Sequence, residues 1–538
     1  MTRSKKLRPP LWLCILWGIL LLAILGLWFG DAGDLGMRNV GSMASMFVAT
    51  GLGLVWFTLM SGHPVKLRVG VAAAVLGLMV ISNLCFRLEG FSGSMIPKLR
   101  WRASGGEVFH GSDSVGGERI DLTPGPGDFP GFLGAARNLR VELGQGVQLR
   151  SDWDTRPPRI LWNRAVGAGW SGFAVVNGFA FTLEQWDEQE VSTAYEMASG
   201  ELLWSSAHPG RFENFLGGIG PRSTPLVHRG RVYTLGAGGR FACHAGRTGE
   251  LLWEHDLLEM FGVTPELEAK NILYGRSNSP LAIVTAKEVE GAANDLVVIP
   301  AGGDATTRMA GLVAFDAVSG ERVWESPPRQ ISFSSPLLAT LAGVDQIVIV
   351  NEDTVTGHDP HDGSILWEES WPGITSQNAC VSQATLVSEN RVMFSKGYGG
   401  GSMLIEIRPA GDALETHLVW KNRRSMRTKL TSPVVHAGYA YGLADERLEC
   451  VDLETGERVW REGRYGHGQI LLVGESLFIL SEWGELSLVE PTPEQPNRVL
   501  GRVQALAGKC WNTLAFYDGK ILLRSDVEAV CVEVGREE

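Results

Sequence analysis

"CVDLETGERVWREG", Cys450 to Gly463, has a near twin upstream in "VAFDAVSGERVWES", Val313 to Ser326. Three more segments keep the same frame: "AYEMASGELLW" ending at Trp204, "CHAGRTGELLW" at Trp253 and "GHDPHDGSILW" at Trp367. In each of the five a glycine lies four residues before the tryptophan, so that Gly200, Gly249, Gly320, Gly363 and Gly456 precede Trp204, Trp253, Trp324, Trp367 and Trp460. A glycine there supplies the positive φ of a tight hairpin turn, and Glu196, Asp316, Asp359 and Asp452 are placed to bond backbone amides where the turn begins. Alternation then puts each Trp on the face of the residue two before it, where an indole fills space between neighbouring sheets. These glycines and tryptophans are read as a structural repeat.

Working outward, looser copies end at Trp162 ("RILW") and Trp420 ("HLVW"). The spacings from Trp162 to Trp367 are 42, 49, 71 and 43 residues, which bracket the roughly 40–50 residues of a four-stranded propeller blade. The 71 implies an inserted loop, and Met260 to Ile272 within it reads as a short helix. A second repeat marks strand starts: Thr224-Pro225, Ser279-Pro280, Ser335-Pro336 and Ser432-Pro433, where Pro suits the first residue of a strand because its missing N–H breaks no ladder. With weaker copies the count is eight. The last unit, "KILLRSDVEAVCVEVGREE", stops before a fourth strand, whereas Arg159 to Gly167 looks like a fourth strand without the other three. The expected fold is all-β: an eight-bladed β-propeller closed by its N-terminal strand, which removes the exposed edge.

Ahead of it the chain is apolar. Residues 11–29, 40–60 and 69–86 are uncharged runs, each close to the ~20 residues that carry a helix across a hydrocarbon core of ~30 Å. A signal peptide is the competing reading of the first, but its apolar core is typically only ~7–15 residues and two more spans follow. Arg3, Lys5, Lys6, Arg8, Lys66 and Arg68 lie on the side that the positive-inside rule makes cytoplasmic, which leaves everything after Phe86 outside. Arg87, Lys98, Arg100 and Arg102 resist that assignment. The expected domains are a membrane domain over 1–90 with three transmembrane helices, a Gly/Pro-rich tether over 91–158 and the propeller over 159–538. The expected location is the inner cell membrane, with the N-terminus cytoplasmic and the propeller periplasmic or extracellular.

Lys and Arg number 48 against 60 Asp and Glu, a net charge of -12, which argues against a broadly basic face and against a nucleic-acid partner.

The small-x-Asp-x-x-(Ser/Thr)-Gly-x-x-x-Trp phrase resembles the repeat of pyrroloquinoline-quinone-type β-propellers, the group that holds quinoprotein dehydrogenases and the lipoprotein of the bacterial outer-membrane assembly machinery. "DFPGFLGAARN", "GAGWSG" and "GPRSTPLVHRGRVYTLGAGGRFACHAGRTGELLW" further resemble its non-dehydrogenase members, over about Asp128 to Val534. The resemblance implies a fold; one fold hosts many activities. It also implies what an enzyme would need: a quinone cradled with a calcium ion held by Glu, Asn and Asp, an Asp base and usually a disulfide between adjacent cysteines. No Cys-Cys pair occurs in this chain, and no Cys-x-x-Cys-His. The expectation is therefore no cofactor and no catalytic residue, with a pyrroloquinoline-quinone-dependent dehydrogenase of alcohols or sugars, carrying quinone and calcium, as the alternative.

Cys243, Cys450 and Cys531 read as small core fillers; Cys510 and Cys531 are the one pair to test for a disulfide. His358, Asp359, His361 and Asp362 have metal-ligand chemistry, yet three of the five residues from Asp359 to Gly363 fall on turn positions, so a hairpin with solvated histidines and no metal is expected. "KGYGGGS", Lys396 to Ser402, lacks the following helix of a phosphate loop and reads as a hairpin turn. "KNRRSMRTK", Lys421 to Lys429, is the strong basic cluster and could meet an acidic partner. In a propeller, ligands meet the residues just before each innermost strand, which singles out Trp170, Arg222, Asn278, Lys429 and Trp511 as channel-mouth candidates, the two tryptophans either binding anchors or channel plugs. The functional expectation is a membrane-anchored platform for binding or assembling protein partners.

Overall fold

The structure, a computed structural model, describes residues 8–29, 35–102 and 121–535 apart from 124, 126, 146, 285–287, 290, 291, 294, 303–308, 375–378 and 412. By its contacts the chain divides into two units, Met1–Glu107 and Val108–Glu538.

The first unit holds helices α1 (Leu11–Phe29), α2 (Leu35–Val55, extended by a π-helical turn Trp56–Met60) and α3 (Val65–Cys85). All three are long and apolar enough to cross a membrane. The bounds differ from the expected spans: α2 begins five residues earlier, with Arg38 in its first turn, and α3 takes in Lys66 and Arg68 and ends one residue sooner. Charge is a poor marker of a helix end, because a long basic side chain buries its stem and sends its head elsewhere. Arg68 does so by donating to the Thr58 carbonyl (3.0 Å) at the end of the preceding helix. Between α1 and α2, Trp17 donates to the Ala49 carbonyl and Trp28 to the Ser42 hydroxyl. A hairpin of β1 (Phe86–Phe91) and β2 (Pro97–Trp101) follows α3 directly.

The second unit is a series of antiparallel meanders. Four-stranded sheets occupy 174–209, 226–256, 281–325, 337–370, 385–422 and 434–462, numbered here sheets 1 to 6. Sheet 7, 469–504, gains a fifth strand, β3 (Arg140–Val141), and sheet 8, the three strands within 515–533, is completed by β4 (Arg159–Ala165). The arrangement is propeller-like. The last strand pairs with β4, Cys531 opposite Trp162. The 71-residue interval carries helices α4 (Leu257–Phe261) and α5 (Pro265–Asn271), the latter capped by the Thr264 hydroxyl with Pro at its first position; such a cap and proline satisfy or remove the orphan N–H groups there.

The repeat works between sheets. The turn aspartates behave as read: Asp316 accepts from Val318 N and Ser319 N, and Asp452 from Glu454 N and Thr455 N. Each repeat glycine, however, meets the indole of the preceding sheet rather than its own. A methyl group on Gly200 would stand 2.7 Å from Trp162, on Gly249 2.5 Å from Trp204, on Gly320 2.6 Å from Trp253 and on Gly363 2.5 Å from Trp324; Gly456 is closed in the same way by Trp420. The indole N–H then donates to a carbonyl of that next sheet's turn region: Trp162 to Met197 (2.8 Å), Trp204 to Gly246 (2.9 Å), Trp324 to Pro360 (3.2 Å), Trp420 to Leu453 (2.8 Å) and Trp460 to Thr492 (3.2 Å). Trp367 packs with sheet 5, whose turn glycine Gly411 has nothing within 4 Å of a Cβ, and bonds Gln346 of its own sheet instead.

The segment expected as a tether is packed over much of its described length. Phe129, Leu133, Leu139 and Trp153 are at most 3% exposed and share one core with sheets 6, 7 and 8. Phe129 exchanges both backbone bonds with Val175, Val227 N donates to Pro130, and Leu472 N to Leu139. Its Gly and Pro residues misled because they set turns, while the apolar residues between them supply burial.

Gly249 and Gly230 have similar positive φ values, 73° and 77°, but Gly230 has nothing within 4 Å of a Cβ. Gly230→Ala is expected to cost about 1 kcal/mol from the left-handed backbone alone, and Gly249→Ala about 1–3 kcal/mol more from the collision with Trp204. Denaturant unfolding of the two variants in parallel measures the difference; equal losses would remove the inter-sheet contact as its cause.

Candidate functional site

The leading strands begin with a chain of side-chain clasps. Gly172 N donates to Thr224 Oγ1 (3.2 Å), Thr224 N to Ser279 Oγ (2.9 Å), Ser279 N to Ser335 Oγ (2.8 Å) and Gln383 N to Ser432 Oγ (2.9 Å). The hydroxyl of the Ser/Thr-Pro pair thus satisfies a backbone N–H of the neighbouring sheet, and Pro itself brings no N–H needing a partner.

One residue earlier, Asn278 is fully buried and its amide donates to the Ser332 and Ser334 carbonyls of the next sheet. Asn512 repeats this toward Gly169 (3.2 Å) and Ser171 (2.8 Å). Asn278 is therefore occupied as an inter-sheet clasp, a role hidden in sequence because the partners are backbone atoms more than 50 residues away.

The four other candidates share one motif, a cation resting on an aromatic ring. The Arg222 guanidinium lies 4.7 Å from the Phe212 ring centre and donates to the Gly217 (2.9 Å) and Gly218 (3.1 Å) carbonyls, which fixes the connecting loop around it. Burial pulls its pKa down to about 9, opposed by the Glu190 carboxylate, whose own pKa burial raises. The Lys429 ammonium lies 4.6 Å from the Tyr398 ring. Trp170 and Trp511 pack with centres 4.8 Å apart, and Lys509 caps both, at 4.7 and 4.0 Å. Their indoles are held by the Gly217 carbonyl (2.7 Å) and Glu482 (3.1 Å) respectively. Lys396 and Lys421 likewise lie 5.0 and 5.5 Å from the Trp371 ring.

Lys509, Tyr398, Lys396 and Trp371 escaped the sequence reading. The first stands two residues before Trp511, and only a search for basic residues flanking each predicted strand start would have found it. Desolvated cation–aromatic pairs are worth up to ~2 kcal/mol or more, and such anchors suit carboxylate-bearing or aromatic segments of a protein partner.

Within the basic cluster Arg427 pairs with Asp445, and Lys421 and Lys429 lie over the Trp371 and Tyr398 rings at 5.5 and 4.6 Å. Arg461, from outside the cluster, shares Asp445, and Arg458 pairs with Glu449 (3.1 Å), a carboxylate that is 1% exposed. "KGYGGGS" forms the turn between Arg391–Lys396 and Gly401–Ala410, as expected. His358 corrects the expectation of solvated histidines: it is buried, bonded to Thr356 Oγ1 (2.7 Å) and the Gly363 carbonyl (3.0 Å). His244 sits in the same way against Gly249 and stacks on Trp204. The Asx partner is Asp359, which accepts from His361 N.

All seven cysteines are free thiols, so Cys510 and Cys531 form no disulfide. Burial pushes the thiols of Cys243, Cys450 and Cys531 up to about 12 and that of Cys380 to about 11, which makes them poor nucleophiles.

Among the described residues no group of three or more His, Cys, Asp or Glu converges to hold a metal. Glu482 receives Trp511 and His467 N, and the Asn278 and Asn512 amide nitrogens donate to neighbouring sheets while their Oδ1 atoms are buried without a hydrogen-bond partner.

Residues 151–289 and 288–493 match the family described as outer membrane protein assembly factor BamB. No curated protein matches the sequence. Similar solved structures include BamB from Moraxella catarrhalis (13% identity, 70% of this chain and 99% of that one, TM-score 0.47) and a europium-containing methanol dehydrogenase (12% identity, 75% and 90%, TM-score 0.53). A quinohemoprotein alcohol dehydrogenase from Comamonas testosteroni also matches (13% identity, 79% and 84%, TM-score 0.43). At these identities the likeness concerns the fold alone.

Burial lowers the pKa of His244 and His358 from 6.5 to about 4. Both rings stay neutral in the folded state while the unfolded chain takes up protons, so stability is fully present above pH 6.5 and falls as pH drops toward 4, by on the order of 3 kcal/mol per ring. Unfolding midpoints measured between pH 7.5 and 4.5 should show this loss, and His358→Asn should shrink it.

Proposed function

This chain belongs to the family described as outer membrane protein assembly factor BamB, and on that premise we propose that it is a membrane-anchored platform that binds or assembles protein partners outside the cytoplasm. The supporting observation is the mouth itself, where cations rest on aromatic rings beside Arg222, Lys429, Trp170 and Trp511. Such a surface recognises acidic and aromatic side chains of an extended segment without any chemistry of its own.

The reading includes eight blades closed into one ring. It is supported by contacts that join sheet 8 to sheet 1: Trp162 with Gly200 and Met197, Asn512 with Gly169, and Arg524 with Gly167 (2.8 Å) and Leu183 (3.0 Å). It also includes a membrane domain over 1–90 in an inner cell membrane, with a cytoplasmic N-terminus and the propeller periplasmic or extracellular. The basic residues before α1 and between α2 and α3 support that orientation. A quinone-dependent dehydrogenase is the competing activity. Against it stands the lack of adjacent cysteines.

A photo-crosslinking residue in place of Trp483, which is 45% exposed beside the mouth residue Glu482, is expected to capture a discrete protein. Lys429→Glu together with Lys509→Glu should weaken that capture about tenfold or more, since two desolvated cation–ring contacts are reversed. Unchanged capture would overturn the mouth as the binding site. Reconstitution with pyrroloquinoline quinone and calcium is expected to yield no dye reduction with alcohols or sugars. Ser151→Cys is expected to react with an impermeant thiol reagent in intact spheroplasts; protection would place the propeller inside.

A further inference from the structure

The hairpin after α3 has two chemically distinct faces. Its register pairs Phe86 with Trp101 and Leu88 with Leu99 on one side, and alternation puts Arg87 and Lys98 on the other. Phe86 and Trp101 meet edge to face at 5.2 Å. Yet Phe86, Leu88, Leu99 and Trp101 remain 38, 42, 60 and 52% exposed, and a lone two-stranded hairpin with a bare apolar face is marginal in water. Arg102 fixes where it sits: its backbone N donates to the Cys85 carbonyl and its guanidinium to the Asn83 carbonyl (2.7 Å), which closes the last turn of α3.

Between the apolar face and α3 runs a groove of about 490 Å³ lined by Val75, Leu78, Met79, Phe86, Leu88 and Leu99. The 21 residues of α3 rise ~31 Å, one hydrocarbon thickness. If α3 spans, the groove lies at the depth of acyl chains, and the hairpin begins where headgroups begin. The sequence from Phe86 to Arg102 carries four basic residues, Arg87, Lys98, Arg100 and Arg102, and one acidic residue, Glu89. Exposed apolar surface continuous with surplus positive charge matches a ligand that joins a hydrocarbon chain to a phosphate.

We propose that this element is a binding site for an anionic phospholipid, with an acyl chain in the groove against α3 and the headgroup phosphate at Arg87 and Lys98. Long basic side chains at a membrane boundary reach the phosphate level while their stems stay with the apolar layer. The site accounts for the one charge cluster that the topology of the spans leaves unexplained. It rests on the membrane reading of α1 to α3.

The test uses the full chain in nanodiscs of mixed phosphatidylglycerol and phosphatidylcholine, released gently into detergent, with retained lipid identified by native mass spectrometry. Wild type is expected to keep phosphatidylglycerol in preference to phosphatidylcholine. Arg87→Gln with Lys98→Gln should lower that preference about tenfold or more, at roughly fivefold per charge, while Met79→Trp, which fills the groove, should reduce retention of both lipids. Equal retention of the two lipids by wild type, or a preference that neither variant changes, overturns the site. So does a dimer in nanodiscs whose crosslinks run from Leu99 to its copy, because the groove would then be a protein interface. Extraction of the chain from membranes by alkaline carbonate is scored separately: release means the membrane reading fails, whereas a retained chain with no lipid preference means only this inference fails.

Discussion

The second unit depends on one contact, an indole face lying on a glycine of the next sheet. It requires two things of the glycine at once. Its φ of 72–75° in the turns at Gly200, Gly249, Gly320, Gly363 and Gly456 is open to few other residues, and the space where a Cβ would stand is already filled by a ring. The tryptophan contributes a large buried area and one N–H, and at Trp162, Trp204, Trp324 and Trp420 that N–H has a backbone carbonyl waiting in the next sheet's turn region. Sheets that share no hydrogen-bonded ladder are thereby held in register by a pair of residues from different repeats. The leading strands add the second seam, where a hydroxyl or amide on one sheet satisfies the backbone of its neighbour.

This division explains what could be read from sequence and what could not. Strands, turns and the β4 pairing are local or periodic, so the five glycine–tryptophan phrases and the orphan "RILWNRAVG" announced them. Contacts between repeats have no such signature. Asn278 looked like a ligand-facing polar residue because its partners are carbonyls, which every residue has. His358 looked solvated because the ring turns back under its own hairpin to reach Gly363. Composition also misled at 121–158, where turn-forming Gly and Pro concealed Phe129, Leu139 and Trp153.

Where sheet 8 meets sheet 1 a buried polar network joins the apolar packing. Glu184 is buried and accepts from Gly167 N (2.7 Å), Trp186 (2.8 Å), Thr193 (2.8 Å) and Tyr195 (2.5 Å). Arg524, equally buried, donates to Thr182, Leu183 and Gly167. Removing one member of such a network leaves a charge or dipole without water, which costs more than the bond was worth. The same junction includes the strand drawn from farthest away in sequence, so its specificity matters most: a greasy seam would tolerate slippage of β4, whereas directed bonds accept one register.

The segment from Phe129 to Val141 gives the two ends of the propeller-like unit different characters. Its backbone bonds the leading strands of sheets 1, 2 and 7, and Arg137 reaches the Ser279 (3.1 Å) and Pro280 (2.6 Å) carbonyls of the sheet 3 lead while Gln383 holds the Arg137 carbonyl (2.6 Å). Leu133, Arg137 and Leu139 adopt positive φ, at 62, 50 and 59°, a cost of order 1 kcal/mol or more each that only surrounding contacts sustain. A segment held at such cost across several leading strands occupies surface that a ligand would otherwise use. The platform proposed above therefore draws on the cation-capped rings near Trp170 and Lys429 rather than on the surface this segment covers.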